Sequence, residues 1–352
     1  MMGRTASSRW IMPLPVAEAR VSGLAEELGL PPDVCRILIR RGVDTASDAR
    51  TFLRPHLSGL RSASDLPDIE AAVDRIELAI RDGETLLVHG DYDADGMSAA
   101  ALLTMGLRAL GATVEPFVPH RTRDGYDLSA AGIERALETG ASLIVTADCG
   151  VTAVSAVREA TSRGVDVIVT DHHRPGGELP DAIAVVNPMR RDSDYQFRGL
   201  AGVGVAYKLL SALYERRGIP SPNLNQHLDF VAIGTVADQM PLTDENRILV
   251  RAGLRALERS RKPGVRALLG HAGVAAGQSV EAEHISFRIA PRLNSVGRMA
   301  EAETGLRLLL ASDDMEAERL AGHLENLNAQ RRKTDSSVFD EVQSKVSAQL
   351  QD

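Results

Sequence analysis

The succession of apolar and polar positions divides the chain into a short helical start, a central stretch where strands and helices alternate, and a helical second half. Before about Leu60, Pro13, Pro15, Pro31 and Pro32 break the pattern and leave room only for short helices. Val34, Ile37, Leu38 and Ile39 recur at helical spacing after Asp33, which reads as an N-cap, and a second helix from Ala46 to Leu53 stops at Pro55. A helix over Ile69–Arg81, with Ala72, Ile76, Leu78 and Ile80, leads to the unbroken apolar run Leu86-Leu87-Val88, a buried strand. Further strand-like runs follow at Thr113–Val118, Ser142–Thr146, Val165–Thr170 and Ile183–Val186. Between them lie helical segments at Met97–Leu110, Ala130–Glu138 and Val154–Arg163; the first is apolar on nearly every face and Gly111 can end it. This alternation predicts an α/β fold with a largely parallel sheet flanked by helices. Beyond Pro188 the periodicity turns helical, at Val203–Arg217, Leu224–Val236 and Asn246–Arg259. A long connector helix or a broken pair follows from Asp313 to Leu350, with Val338, Val342, Val346 and Leu350 in an i, i+4 stripe. The boundaries expected are a helical extension over 1–64, a catalytic domain over 65–260 and a helical connector over 261–352.

Composition adds limits. With 44% hydrophobic and 25% charged residues the chain reads as soluble and globular, without an apolar run of membrane-spanning length or a signal-peptide core, so the cytoplasm is expected. Cys35 and Cys149 form no C-x-x-C pair, which indicates two reduced thiols and neither a disulfide framework nor a thiolate zinc site. A net charge of −8 argues against coating nucleic acid by bulk positive charge. Aromatic residues make up 3% of the chain, with a single Trp10, so no extended stacking platform is visible and strand binding would rest on phosphate contacts.

The chemistry concentrates where the first strand ends, in His89-Gly90-Asp91-Tyr92-Asp93-Ala94-Asp95-Gly96. A turn uses at most one Asp for its own backbone, so three alternating carboxylates repel one another unless cations neutralise them. The spacing imitates an EF-hand loop, but Leu102 stands where the bidentate Glu belongs and a strand precedes the loop instead of a helix. Two other strand ends carry Asp148-Cys149-Gly150 and Asp171-His172-His173, and Asp238 follows an apolar helix. Any one of these would pass as a cap or turn residue. Together His89, Asp93, Asp95, Asp148, His172 and Asp238 supply the donors that a pair of divalent cations requires. Such a pair, ~3.5–4 Å apart, clamps a phosphoryl oxygen during in-line attack. The glycines of Gly199–Tyr207 complete no dinucleotide fingerprint, and P-loop and serine-elbow patterns are absent, so those glycines are read as shaping a loop and close helix packing.

These motifs, with Thr146-Ala147-Asp148-Cys149-Gly150, Val236-Ala237-Asp238 and the segment Phe287–Met299, resemble the DHH phosphoesterases and, within them, the RecJ-type exonucleases. The resemblance implies metal-dependent hydrolysis of single-stranded DNA from its 5′ end, releasing 5′-mononucleotides in DNA repair and recombination. It implies two divalent cations, Mn²⁺ before Mg²⁺. One would be held by His89, Asp93 and Asp148, the other by Asp95, Asp148, His172 and Asp238. Asp148 would bridge, Asp91 would stand behind the ligands or replace one, Asp171 would orient the histidines and His173 would contact the scissile phosphate or assist the leaving oxygen. Arg121, Arg288, Arg292, Asn294 and Arg298 would bind phosphate, and a single-strand-binding protein or a helicase would be the partner.

Relatives of this type continue into a second lobe with a Gly-rich motif and an OB-fold; neither occurs before Asp352, so the chain is expected to be a fragment or a short form. Two alternatives follow: a phosphodiesterase for short oligonucleotides or small phosphoesters, and a catalytically silent replication scaffold. A scaffold has no need of the full donor set.

Overall fold

The computed structural model describes residues 14–275, 277–299 and 302–349. The chain forms two compact units, Met1–Gly59 and Leu60–Asp352.

The first unit is helical. α1 (Glu18–Leu28) ends at Gly29 in the left-handed conformation, α2 spans Pro32–Arg40, and α3 (Ala46–Leu53) is capped by Thr45, whose hydroxyl accepts the Asp48 N–H at 3.1 Å. Val21, Leu24, Cys35, Ile39 and Ala46 form its small core. Asp33 does not cap α2. Proline is favoured at the first helical position because it has no N–H to satisfy there, so Pro32 opens the helix, Pro31 takes the cap and Asp33 pairs with Arg36.

The second unit is built on a five-stranded parallel sheet in the order β2-β1-β3-β4-β5. After α4 (Ile69–Asp82) come β1 (Thr85–Gly90), α5 (Ala94–Ala109), β2 (Thr113–Phe117), α6 (Ala130–Glu138), β3 (Ala141–Ala147), α7 (Val154–Ser162), β4 (Asp166–Thr170) and β5 (Ala184–Val186). Each expected strand is found within two residues of its anticipated limits, because a parallel strand buried on both faces must be apolar throughout. Leu87, Ile144, Val167 and Val169 line one core face with Ile133 and Val157 from the covering helices. This strand order places the topological switch between β1 and β3, and ligands bind at the carboxyl ends on either side of such a switch.

α5 is buried from Ala94 through Thr104 and packs between the sheet and two later helices, α8 (Gly202–Arg216) and α10 (Leu228–Ala237). A short turn of helix, α9 (Pro222–Asn225), stands apart from α10, so the single helix expected over Leu224–Val236 is two. α11 (Asp244–Glu258) covers α10, and α12 spans Pro263–His271. α13 (Ala282–His284) runs through a π-helical turn at Ile285–Ile289 into α14 (Ala290–Met299). α15 (Ala302–Leu310) and α16 (Asp314–Gln349) complete the unit.

α16 is the anticipated long helix, unbroken. Its first half buries Ala317, Leu320, Ala321 and Leu324, while Val338, Val342 and Val346 of the apolar stripe are exposed; Leu350, like Trp10 and Pro13, lies outside the described residues. Both cysteines are buried and free. Among the described residues no helix is long and apolar enough to cross a membrane.

Candidate metal centre

The turn after β1 assembles the centre because it is also the start of α5. Asp93 is the N-cap: its Oδ1 accepts the N–H groups of Asp95 and Gly96, each at 2.9 Å. The next exposed donor, Ala94 N–H, is taken by Asn294 Oδ1 at 2.8 Å, which ties α14 to the acidic turn. Asp95, in the first turn of α5, is fully buried and accepts Gly202 N–H at 2.8 Å and Val203 N–H at 3.0 Å from the start of α8.

β3 and β4 deliver the opposing side chains. Asp148, just past β3, is buried and holds a left-handed backbone at φ 66°, fixed by its N–H donating to Thr170 at 3.0 Å. A strained non-glycine residue at a strand end is a common mark of a functional position. The Asp171 carboxylate accepts the N–H groups of Val151, His172 and His173 and, at 2.8 Å, the His173 Nδ1–H. His172 is held from behind by the Leu200 backbone, which leaves Nε2 facing Asp148 Oδ1 at 3.1 Å and Asp238 Oδ2 at 3.6 Å. Asp238 is the C-cap of α10.

Among the described residues three groups of donor atoms, each within 4.8 Å of one another, result: Asp91, Asp93 and Asp148; Asp95, His172 and Asp238; Asp148, His172 and His173. Asp148 and His172 each belong to two of the groups, so the groups form one continuous cluster. Asp91 Oδ1, Asp148 Oδ1 and His172 Nε2 are buried without a hydrogen-bond partner, although His172 and Asp148 face each other. Buried acceptors converging without donors leave a deficit that a hard or borderline divalent cation satisfies, and mixed carboxylate and imidazole donors suit Mn²⁺ or Mg²⁺ chemistry.

His89 stands outside the three groups. Its ring packs against Phe117 with centroids 5.3 Å apart, Nδ1 lies 3.7 Å from Cys149 Sγ, and burial pushes its pKa down to about 4. The arginines divide likewise. Arg121 and Arg298 line a cleft of about 280 Å³ with Asp91, Asp93, His173 and Asn294. Arg292 turns away to Glu325 at 2.5 Å, and Arg288 turns towards the Gly273 carbonyl.

The electrostatics express the carboxylate crowding. Burial, aided by Asp93, raises Asp91 to about 7 and Asp238 to about 6. Burial and the neighbouring carboxylates likewise hold Asp95 and Asp148 well above the usual range. Burial works against ionisation of Asp171 too, but its bonds from His173 keep it below the usual range, and that pair lifts His173 to about 9. Native Asp91 keeps a proton that the unfolded chain releases near pH 4, so the cation-free protein loses stability at this group as pH rises from about 4 to about 7. At ~1.4 kcal/mol per unit, Asp91→Asn is expected to match the parent at pH 4 and exceed it by of order 3–4 kcal/mol at pH 8 in EDTA. Chemical denaturation across that range checks it; parallel stability profiles would contradict the assignment.

Two features escape the sequence pattern. Glycines cradle the donors: a Cβ on Gly202 would strike the Asp148 carboxylate, on Gly234 the Asp95 carboxylate, on Gly96 Asp91 and on Gly132 the His89 ring. Tyr92 and Tyr126 meet edge to face at 6.2 Å, Tyr126 stands 6.2 Å from His173, and Arg121 lies over Tyr92 at 5.2 Å. A small aromatic arc thus rims the cleft. A Gly inside a helix pattern and the adjacency of Tyr92 to the acidic turn are the only signals of either.

Comparison with known proteins agrees with this architecture. Residues 85–235 match the DHH family, N-terminal domain. The single-stranded-DNA-specific exonuclease RecJ of Bacillus subtilis (strain 168) is 39% identical over 341 residues, 97% of this chain and 42% of that protein. A crystal structure of exonuclease RecJ bound to manganese superposes with TM-score 0.73 at 41% identity, covering 80% of this chain and 70% of that one. RecJ of Thermus thermophilus in complex with Mn²⁺ gives TM-score 0.79 at 37% identity over 94% of this chain and 46% of that one. The chain spans about half the length of the curated relatives it matches. With the fold, the ordered motifs and this similarity in agreement, the chain belongs to the RecJ family of DHH proteins.

Proposed function

We propose that this chain is the cation-dependent phosphodiesterase lobe of a single-strand-specific exonuclease, acting on 5′ ends of single-stranded DNA and releasing 5′-mononucleotides in repair and recombination. The observation that carries it is the cluster of donors sharing Asp148 and His172, with a cationic and aromatic cleft beside it. One divalent cation would be held by Asp91, Asp93 and Asp148, a second by Asp95, Asp148, His172 and Asp238, with Mn²⁺ favoured over Mg²⁺ by the imidazole. His89, a ligand by the resemblance, lies outside these groups, but its Nε2 is likewise buried without a hydrogen-bond partner and would back the first cation position. The first unit, the sheet domain to about residue 260 and the helices beyond it would serve as extension, catalytic domain and connector. The cytoplasm, and a single-strand-binding protein or helicase as partner, fit this reading.

When bound, such cations polarise the phosphoryl oxygens and supply an activated water for in-line attack. The chain's own residues do the rest. Asp171 fixes the His173 ring by accepting its Nδ1–H, so that the ring's other nitrogen would face the scissile phosphate as a donor. Arg121 and Arg298 neutralise the phosphates that flank the reacting one, and Asn294 holds the start of α5 so that Asp93 and Asp95 keep their spacing. Tyr92 and Tyr126 offer faces on which terminal bases stack.

The test is hydrolysis of 5′-labelled single-stranded and duplex DNA with Mn²⁺, Mg²⁺ or EDTA, beside a very short oligonucleotide. Mononucleotides released from the long single strand, and none in EDTA, are expected. The second reading, a phosphodiesterase for short oligonucleotides, draws on the small cleft and would be preferred if only the short substrate turned over. Cation binding without hydrolysis of either would mean that this lobe does not suffice for catalysis by itself or serves as a scaffold.

A further inference from the structure

The segment between β2 and α6 carries two walls of the cleft, Arg121 and Tyr126, and a hydrogen bond ties it to the turn between β3 and α7. Just after Tyr126 the chain takes a left-handed turn at Asp127, φ 78°, a conformation that costs a side-chain-bearing residue free energy unless a local bond compensates. Asp127 has such a bond, because Oδ1 accepts the Leu128 N–H at 2.9 Å. Its second oxygen is used differently: Oδ2 accepts the Thr152 hydroxyl at 2.7 Å. Thr152 follows Asp148-Cys149-Gly150-Val151, the turn that presents the shared carboxylate and is itself held by Asp171 through Val151 N–H at 2.9 Å. The upstream end of the segment is organised within itself, with Asp124 accepting the His120 N–H at 2.9 Å and pairing with Arg123. Tyr126 is half exposed, and beyond the two rings it meets, Tyr92 and His173, its backbone anchor helps decide where the ring stands.

We propose that the Asp127–Thr152 hydrogen bond is a latch that fixes Tyr126 across the cleft and thereby sets affinity for a strand end, without a part in the chemical step. The proposal rests on the strand-end reading above. Base stacking on one aromatic ring is worth ~1–3 kcal/mol, so a ring held elsewhere forfeits much of that in binding. Asp127 and Thr152 are therefore positioning residues that act through Tyr126.

Thr152→Val removes the hydroxyl at nearly constant shape, Thr152→Ser restores it, and Asp127→Gly removes the carboxylate while relieving the left-handed strain. Thr152→Val and Asp127→Gly are expected to raise KM for single-stranded DNA about fivefold, the loss of roughly one hydrogen bond, with kcat within about twofold. Thr152→Ser should return KM to the parent value. Hydrogen exchange on the intact protein should quicken over residues 119–128 in Thr152→Val and not in Thr152→Ser. Parent-like KM and exchange in Thr152→Val would overturn the latch, as would an equal fall in kcat in both Thr152 variants. If the parent hydrolyses no strand, the functional reading fails, and the exchange comparison alone decides whether the latch exists.

Discussion

Asp148→Asn is expected to abolish cation-dependent hydrolysis while leaving the cation-free protein as stable as the parent or more so. Asp148 belongs to two of the donor groups, so the variant takes an anionic ligand from both proposed cation positions. Losing the several kcal/mol with which a cation stabilises transition-state charge lowers kcat by about 10³-fold or more. The fold, by contrast, has no use for the charge. Burial and the neighbouring carboxylates already hold the Asp148 pKa well above the ordinary range, so a neutral amide of the same shape removes a charge that the cation-free fold disfavours. Asparagine also tolerates the left-handed backbone at φ 66°. The two readouts move apart only if Asp148 is a ligand. Thermal unfolding with and without Mn²⁺, beside the nuclease assay, checks both; an unfolded Asp148→Asn, or one whose stability still rises with Mn²⁺ as the parent's does, would remove Asp148 from the centre.

Gly234→Ala should reverse the usual sign of a glycine substitution in a helix. Replacing a helical glycine by alanine normally gains up to ~1 kcal/mol. At Gly234, inside α10, the new methyl would meet the Asp95 carboxylate and lie 2.8 Å from Val203 Cγ1, in a core with no room to yield. Overpacking of this kind costs ~1–3 kcal/mol, which outweighs that gain and leaves an expected net loss of about 1 kcal/mol. Displacing Asp95 from the Gly202 and Val203 N–H groups should weaken Mn²⁺ binding by about 10–100-fold, as the loss of a supporting contact does. Gly270→Ala in α12, where a Cβ meets open space, is the control and should be neutral or stabilising. Denaturant titration and Mn²⁺ calorimetry on the two variants check this; equal behaviour would show that Gly234 is not a cradle.

The strands and most helices were legible because burial on both faces of a parallel sheet leaves an unmistakable apolar run, as at Leu86–Val88 and Ile144–Val145. The acidic turn was legible as chemistry but not as architecture. Asp93 spends one oxygen capping α5, so the helix starts at Ala94 and not at Met97, and a carboxylate read as a ligand is also a structural cap. What stayed hidden depends on distant partners. Nothing local marks Gly202 as the neighbour of Asp148, or shows that Arg292 meets Glu325 on α16 while Arg298, six residues on, faces the cleft. The helix over Glu18–Leu28 was masked by the prolines on both sides of it.

The spread of the donors along the chain bears on the order of folding. Asp91 and Asp93 follow β1, Asp148 follows β3, His172 follows β4, and Asp238 arrives only at the end of α10. Closing those loops costs entropy that must be met before a cation finds any donor beyond the three carboxylates of the acidic turn. A cation held by the proposed ligands would then join a sheet already in register and a helix already docked. Its stabilisation would fall on contacts made late in assembly, so Mn²⁺ is expected to retard unfolding more than it speeds refolding.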